Sequence, residues 1–138
     1  MNSMKFLLLF LACVGMINMN AQCDTTVTLC EKFMPTNYVS DGQTYRAFLV
    51  NDEVAEFSTT FFAGVDYRIA VMSGTEKGEL EFRLLDQERK LLFSSQDYDL
   101  TPFWNFRAES TQDCVIEAQL RKDGVGSGCA VILISFSR

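Results

Sequence analysis

Apolar and polar residues alternate one by one along several short segments of this chain, and this period of two limits its fold more than any other feature. In residues 65–71 every second side chain is apolar, while Asp66 and Arg68 occupy intervening positions. The same alternation recurs in residues 80–84 and 114–120, whereas a helical period of 3.6 is hard to find. Successive side chains of a strand point to opposite faces, so the pattern predicts strands with one buried and one solvated face.

Eight strands are predicted in this way, at nearly even intervals and separated by turn residues. They cover residues 45–50, 54–61, 65–71, 80–84, 91–95, 103–109, 114–120 and 129–136. We therefore expect an all-β protein, an antiparallel β-sandwich of about eight strands with jelly-roll or Greek-key topology. The last strand is apolar on both faces, which predicts a central, buried position. Residues 27–34 fit either a short helix or an extended arm.

The same period predicts which side chains fill the core of the sandwich. The predicted core is two-sided and consists of large apolar residues from successive strands: Phe57, Tyr67, Ile69, Phe82, Leu84, Ile116, Leu120, Val131 and Leu133.

The first 21 residues have the features of a cleaved signal peptide. Lys5 is the only charge in the first 23 residues, and a nearly unbroken apolar run covers residues 6–17. A helix of that length spans about 18 Å, less than the ~30 Å hydrocarbon layer of a membrane. We expect cleavage after Ala21, an N-terminal arm over residues 22–40 and a sandwich domain over 41–138. The protein is then exported to the periplasm, the cell surface or the medium and is not an integral membrane protein.

Four cysteines remain after such a cleavage: Cys23, Cys30, Cys114 and Cys129. An even number in an oxidising compartment predicts two disulfides and no free thiol. If the last two strands form a hairpin, Cys114 and Cys129 lie too far apart to bond, and the N-terminal pair is tied to the C-terminal pair. If those strands lie in opposite sheets, bonds Cys23–Cys30 and Cys114–Cys129 are the alternative. A lipid anchor on Cys13 or Cys23 is a further alternative, but the residues before each fit a lipidation signal poorly.

The composition excludes several classes of catalytic site. The sequence contains no histidine, so a Ser-His-Asp triad, a Cys-His dyad and a histidine-ligated metal cannot be built from this chain alone. No pair of carboxylates stands out as the acid and base of a glycosidase. We expect a protein that is not an enzyme.

The charge balance indicates which partners to expect. The net charge is −6, and removal of residues 1–21 would leave 11 basic and 18 acidic residues, a net charge of −7. Nucleic-acid binding needs clustered Lys and Arg, which this acidic chain lacks. We expect no nucleic-acid partner.

Residues 57–71, with their Ala63-Gly64 turn between two strands, and residues 80–86 followed by Leu91-Leu92, resemble bacterial pre-peptidase C-terminal domains. The resemblance covers roughly residues 41–136. Members of that family are small secreted β-sandwiches of jelly-roll type. The resemblance implies a non-catalytic accessory or binding domain outside the cytoplasm, with no catalytic residues to transfer.

Residues 96–106 hold the densest group of aromatic and acidic side chains. An exposed platform of Tyr98 and Trp104 beside Asp97 and Asn105 would stack on a sugar ring and bind its hydroxyls. The alternative interpretation is that Trp104 and Phe106, two positions apart, point together into the core.

Asp97 and Asp99 are candidate calcium ligands, because Ca²⁺ prefers carboxylate oxygens. The alternative is that both are solvated turn residues. Calcium is the only cofactor that the sequence brings into consideration.

Two functions remain. The first is a secreted binding or interaction module whose partner is an extracellular glycan or an envelope protein. The alternative is a structural or surface-assembly protein that acts through its sheet edges. An exposed tryptophan would favour the first, and an edge strand without Lys, Pro or a bulge would favour the second.

Overall fold

A computed structural model describes residues 23–74 and 78–137, and the predicted signal peptide lies outside these ranges. The described residues contain a helix, α1, over residues 23–31 and a short 3₁₀ helix over Ser95–Tyr98. The strands are β1 (Tyr38–Val50), β2 (Val54–Phe61), β3 (Asp66–Met72), β4 (Leu80–Asp86), β5 (Leu91–Ser94), β6 (Phe103–Arg107), β7 (Gln112–Leu120) and β8 (Ser127–Ser137). The predicted all-β fold is confirmed, and β1 begins within the residues assigned to the arm. Neither helix is long and apolar enough to cross a membrane.

The strands form two four-stranded sheets in which all neighbours are antiparallel. Sheet 1 has the order β1-β8-β3-β6, and sheet 2 has the order β2-β7-β4-β5. Except for β4 and β5, consecutive strands lie in opposite sheets, which is the arrangement of a jelly roll. The predicted sandwich class is therefore confirmed.

The last two strands do not form the hairpin that was the first expectation. β7 pairs with β2 and β4 in sheet 2, whereas β8 pairs with β1 and β3 in sheet 1. The physical reason lies in the sequence of β8, which is apolar on both faces and therefore needs cover on both. The interior of sheet 1 provides that cover, because one face meets sheet 2 and the other meets α1.

The main core lies between the sheets. Its aromatic centre is Phe61, whose ring packs edge-on against Tyr67 at 4.8 Å and against Phe106 at 4.9 Å. Predicted core residues from three strands are buried in it: Tyr67, Ile69, Phe82, Leu84, Ile116 and Leu120. Phe57 lies at its margin and is only partly buried.

A second, smaller core lies on the outer face of sheet 1 beneath α1. Val131 and Leu133 belong to it together with Cys30 and Met72. Val131 and Leu133 are buried, as predicted, but beneath α1 and not between the two sheets. Side chains alternate along β8, and because Ile132 points inward its two neighbours must point outward to the helix.

Within residues 23–74 and 78–137 there is one disulfide, between Cys23 and Cys129, with Cα atoms 5.4 Å apart. The expected link between the N-terminal and C-terminal cysteines is present, but Cys30 and Cys114 are free and buried, so the prediction of two disulfides is wrong. Cys30 lies on the buried side of α1, in the second core, and Cys114 lies in the main core. Sheet 1 separates these two cores, which keeps the two thiols apart.

Candidate functional site

A cleft opens between the two sheets where β5 and β6, the last strands of their sheets, lie opposite each other. These are the shortest strands of the sandwich, with four and five residues, so the sheets cover each other least on this side. The cleft has a volume of about 240 Å³. We call it the β5/β6 cleft.

The lining of the β5/β6 cleft is apolar inside and polar at the rim. The apolar side chains are Phe61, Leu84, Leu92, Phe93, Trp104 and Phe106, and the polar rim is formed by Arg107, Glu109, Ser110 and Gln112. Cys114 and Ala108 complete the lining. Such a lining removes apolar groups of a bound partner from water while its polar groups meet the rim.

Two side chains of the cleft lining, Phe93 and Trp104, belong to a cluster of three aromatic rings. Trp104 stacks on Phe93 with a centroid distance of 4.3 Å and an angle of 22° between the planes. Tyr98, at the end of the 3₁₀ helix, lies 4.8 Å from Trp104 and 5.4 Å from Phe93. Trp104 and Phe106 both turn toward the main core and are partly buried. Tyr98 is the exposed ring, with 52% of its surface accessible.

The structure brings some of the sequence-predicted site residues together and separates others. Asp97 and Tyr98 are exposed neighbours in the 3₁₀ helix, next to Trp104. Asn105 follows Trp104 in β6 and therefore points to the opposite face of sheet 1. There its Oδ1 accepts a 2.6 Å hydrogen bond from Nε of Arg68. A platform that combines Trp104 with Asn105 is thus not formed, and ligand binding at Tyr98 and Asp97 stays a prediction.

Asp97 and Asp99 do not form part of a larger acidic group. In residues 23–74 and 78–137, no group of three or more His, Cys, Asp or Glu side chains could hold a metal ion. Asp99 has a structural role: its φ of 53° is left-handed, and its backbone N–H donates to the Ser95 carbonyl at the end of the 3₁₀ helix. Asp tolerates this conformation better than most residues, which explains its presence in the turn.

A second depression lies on the outer face of sheet 2, with a volume of about 150 Å³. At its floor Glu117, only 5% exposed, accepts hydrogen bonds from both Arg83 and Arg89. Arg89 also contacts Glu56 at 2.8 Å and lowers the pKa of that carboxyl by hydrogen bonding and charge. These groups satisfy one another, so the depression offers a ligand less unpaired charge than its composition suggests.

Sequence reasoning located the aromatic segment but missed most of the cleft. Leu92 is the extra residue of a register shift between β4 and β5, and Phe61 comes from the end of β2. Arg107 and Gln112 flank the loop between β6 and β7. Strands that are distant in sequence create this site, and no local period indicates it.

No protein-family model and no curated protein matches the chain in sequence. Solved structures match it in fold. One is PliG from Aeromonas hydrophila, a periplasmic lysozyme inhibitor of g-type lysozyme, with a TM-score of 0.55 at 8% identity over 75% of this chain and 91% of that chain. Another is the pre-peptidase C-terminal domain of collagenase from Bacillus anthracis, with a TM-score of 0.52 at 14% identity over 67% of this chain and 87% of that one.

The fold resembles a pre-peptidase C-terminal domain. The resemblance expected from residues 57–71 and 80–86 is therefore confirmed at the level of the fold. At 8% and 14% identity the likeness extends to the fold alone.

Proposed function

We propose that this chain is an exported, non-catalytic binding module that holds a protein partner in the β5/β6 cleft. The observation that carries the proposal is the apolar interior of the cleft beside two exposed apolar residues, Leu92 and Tyr98. Its volume of about 240 Å³ lies below the ~300–1,000 Å³ of sites that enclose a small molecule. A cleft of this size suits an apolar side chain inserted from a partner protein.

The composition of the site supports a protein partner. Tyr and Trp are enriched among the residues that dominate protein interfaces, and Tyr98 and Trp104 meet here. Glu109 and Gln112 at the rim supply the polar border that such interfaces have. The net charge of −6 favours a cationic partner by long-range attraction.

Export is part of the same proposal. The apolar run in residues 6–17 with Ala21 as a cleavage site and the Cys23–Cys129 disulfide support it, because disulfides persist in oxidising compartments. The shared fold with a periplasmic inhibitor of a lysozyme supports both the compartment and the class of partner. N-terminal sequencing of protein recovered from the periplasm or medium should start at Gln22.

A glycan is the second candidate ligand, favoured by one observation. The ring of Tyr98 is half exposed, is supported from behind by Phe93 and Trp104, and lies next to Asp97. An exposed ring beside a carboxylate is an arrangement that binds sugars by stacking and hydrogen bonding.

Calorimetry with two classes of probe tests the proposal. We would titrate the protein with purified g-type lysozyme and with a panel of bacterial glycans, with and without calcium. Leu92→Asp should weaken binding of the protein probe at least about tenfold, because it places a charge in the apolar cleft. Leu91→Asp is the matched control, since Leu91 is equally exposed but lies opposite Leu85 and does not line the cleft.

The outcomes separate the two candidates. Loss of glycan binding in Tyr98→Ala, with no affinity for lysozyme, would favour the glycan. Equal affinities of the two leucine variants would place the site elsewhere. Absence of binding to every probe would contradict the proposed function, and a Trp104→Ala variant that fails to fold would show that Trp104 serves the core.

A further inference from the structure

The two sheets have four edge strands, and three of them carry features that oppose pairing with another strand. β1 has a register shift between Ser40 and Thr44. β5 has only four residues and a register shift against β4. β6 has five residues and begins directly after Pro102. Short length, proline and irregular register are the means by which proteins protect their edges.

β2 is different. It extends over eight residues, Val54–Phe61, and pairs with β7 at every position without a register shift. It contains no Lys and no Pro. No strand among the described residues pairs with its other edge. Such an edge presents a regular row of backbone donors and acceptors to another strand.

The side chains of β2 also allow it to pair with itself. Glu56 is its only charged residue, and that carboxylate already contacts Arg89. The other exposed positions are Val54, Ser58 and Thr60. Phe57 is partly buried at the margin of the main core, where its ring packs edge-on against Tyr45 at 5.7 Å.

We propose that a second copy of this chain pairs antiparallel with β2, with the two-fold axis at Phe57, and joins the two copies of sheet 2 into one eight-stranded sheet. In this register each Glu56 lies opposite Ser58 of the other copy, Val54 lies opposite Thr60, and the two Phe57 rings meet. No like charges are opposed, and two half-buried rings gain apolar contact. An antiparallel pair of identical strands is self-complementary, which is the requirement of a two-fold interface.

The proposal is independent of the proposed function, because β2 and β5 are opposite edges of sheet 2. Pairing at β2 leaves the β5/β6 cleft of each copy open. A dimer would therefore carry two clefts, one at each end of the joined sheet.

Sedimentation velocity of the exported protein over a range of concentrations tests the proposal. We expect a dimer, with Ser58→Glu weakening its association about tenfold or more, because the new carboxylate faces Glu56 twice per dimer. Thr28→Glu is the control: it adds the same charge on the exposed side of α1, which packs on the other sheet, and should leave the dimer intact. Circular dichroism would verify that both variants fold.

Ser58→Lys tests the register. Lysine opposite Glu56 should strengthen the dimer, whereas an axis at Ser58 would oppose two lysines and weaken it, which would overturn the register. A monomer at every concentration would overturn the proposal. So would a dimer that Ser58→Glu does not weaken, or one that Thr28→Glu weakens equally.

Discussion

Phe82 is one of the largest fully buried side chains, with 1% of its surface accessible, and its ring lies 5.1 Å from that of Phe93. Phe82→Ala should lower the free energy of unfolding by about 3–5 kcal/mol, because a transfer cost and a cavity cost add. Urea denaturation measures this change. Phe62→Ala is the control: Phe62 is 59% accessible, so its removal should cost less than about 0.5 kcal/mol. If Phe82→Ala and Phe62→Ala lowered the free energy of unfolding equally, the burial of Phe82 would be contradicted.

The two free thiols provide a second prediction for single residues. Cys30 and Cys114 are both buried, and burial raises the pKa of each thiol. Because the thiolate is the reactive form, neither should react with a thiol reagent in the native protein at pH 8. After unfolding of the protein cleaved after Ala21, which has lost Cys13, two thiols per molecule should react in the absence of a reductant. A count of zero would mean that a second disulfide has formed, and rapid labelling of the native protein would contradict the burial.

The raised pKa of the Cys30 thiol predicts that the free energy of unfolding depends on pH. Burial between α1 and sheet 1 raises the pKa of Cys30 from 9.0 to about 12, so the folded protein keeps this proton at a pH where the unfolded chain loses it. The unfolded state then binds fewer protons, and the free energy of unfolding should decrease as pH rises above about 9. Denaturation between pH 8 and pH 10.5 measures the slope. In Cys30→Ala the slope should be shallower, and an unchanged slope would contradict this assignment.

At the scale of secondary-structure elements, the disulfide between α1 and β8 is the main constraint outside the sheets. Cys23→Ser removes it and should lower the free energy of unfolding by about 2–5 kcal/mol. Reduction of the wild type should have the same effect, since it opens the same bond. Denaturation with and without dithiothreitol compares the two, and a reductant that further destabilises Cys23→Ser would indicate a second disulfide.

The positions of most strands could be predicted from sequence, because each strand depends on a local alternation of apolar and polar residues. β2 was predicted with its correct bounds, and β3, β4 and β7 show the predicted faces, with Tyr67 and Phe82 in the main core. The pairing of strands could not be predicted, because the same alternation is compatible with two consecutive strands that form a hairpin and with two that lie in opposite sheets. The wrong number of disulfides had a different origin: it came from the even count of cysteines, and the sequence did not show that Cys30 and Cys114 lie in separate cores. The β5/β6 cleft could not be predicted either, since Leu92 and Phe106 line it together only after the two sheets pack against each other.

For the whole molecule, the strand order sets the expected folding rate. β1 pairs with β8 and β2 with β7, so much of the sheet joins segments far apart in sequence. The chain must lose the entropy of closing these long loops before it gains most of the free energy of burial. We therefore expect folding in about milliseconds to seconds rather than microseconds. Stopped-flow fluorescence of Trp104, the only tryptophan, would follow the reaction. The reduced protein should fold more slowly, because its ends are not held together.

The Cys23–Cys129 bond also determines how the molecule would respond to tension. It joins residues 106 positions apart in sequence, a length of about 350 Å when fully stretched. A pull on the two ends of the chain would pass from residue 23 to residue 129 through the bond, so β1 to β7 would carry no load and only the rest of β8 could be drawn out. Reduction would place the whole sandwich under that tension. The distance between the two chain ends at full extension would then increase by about 350 Å.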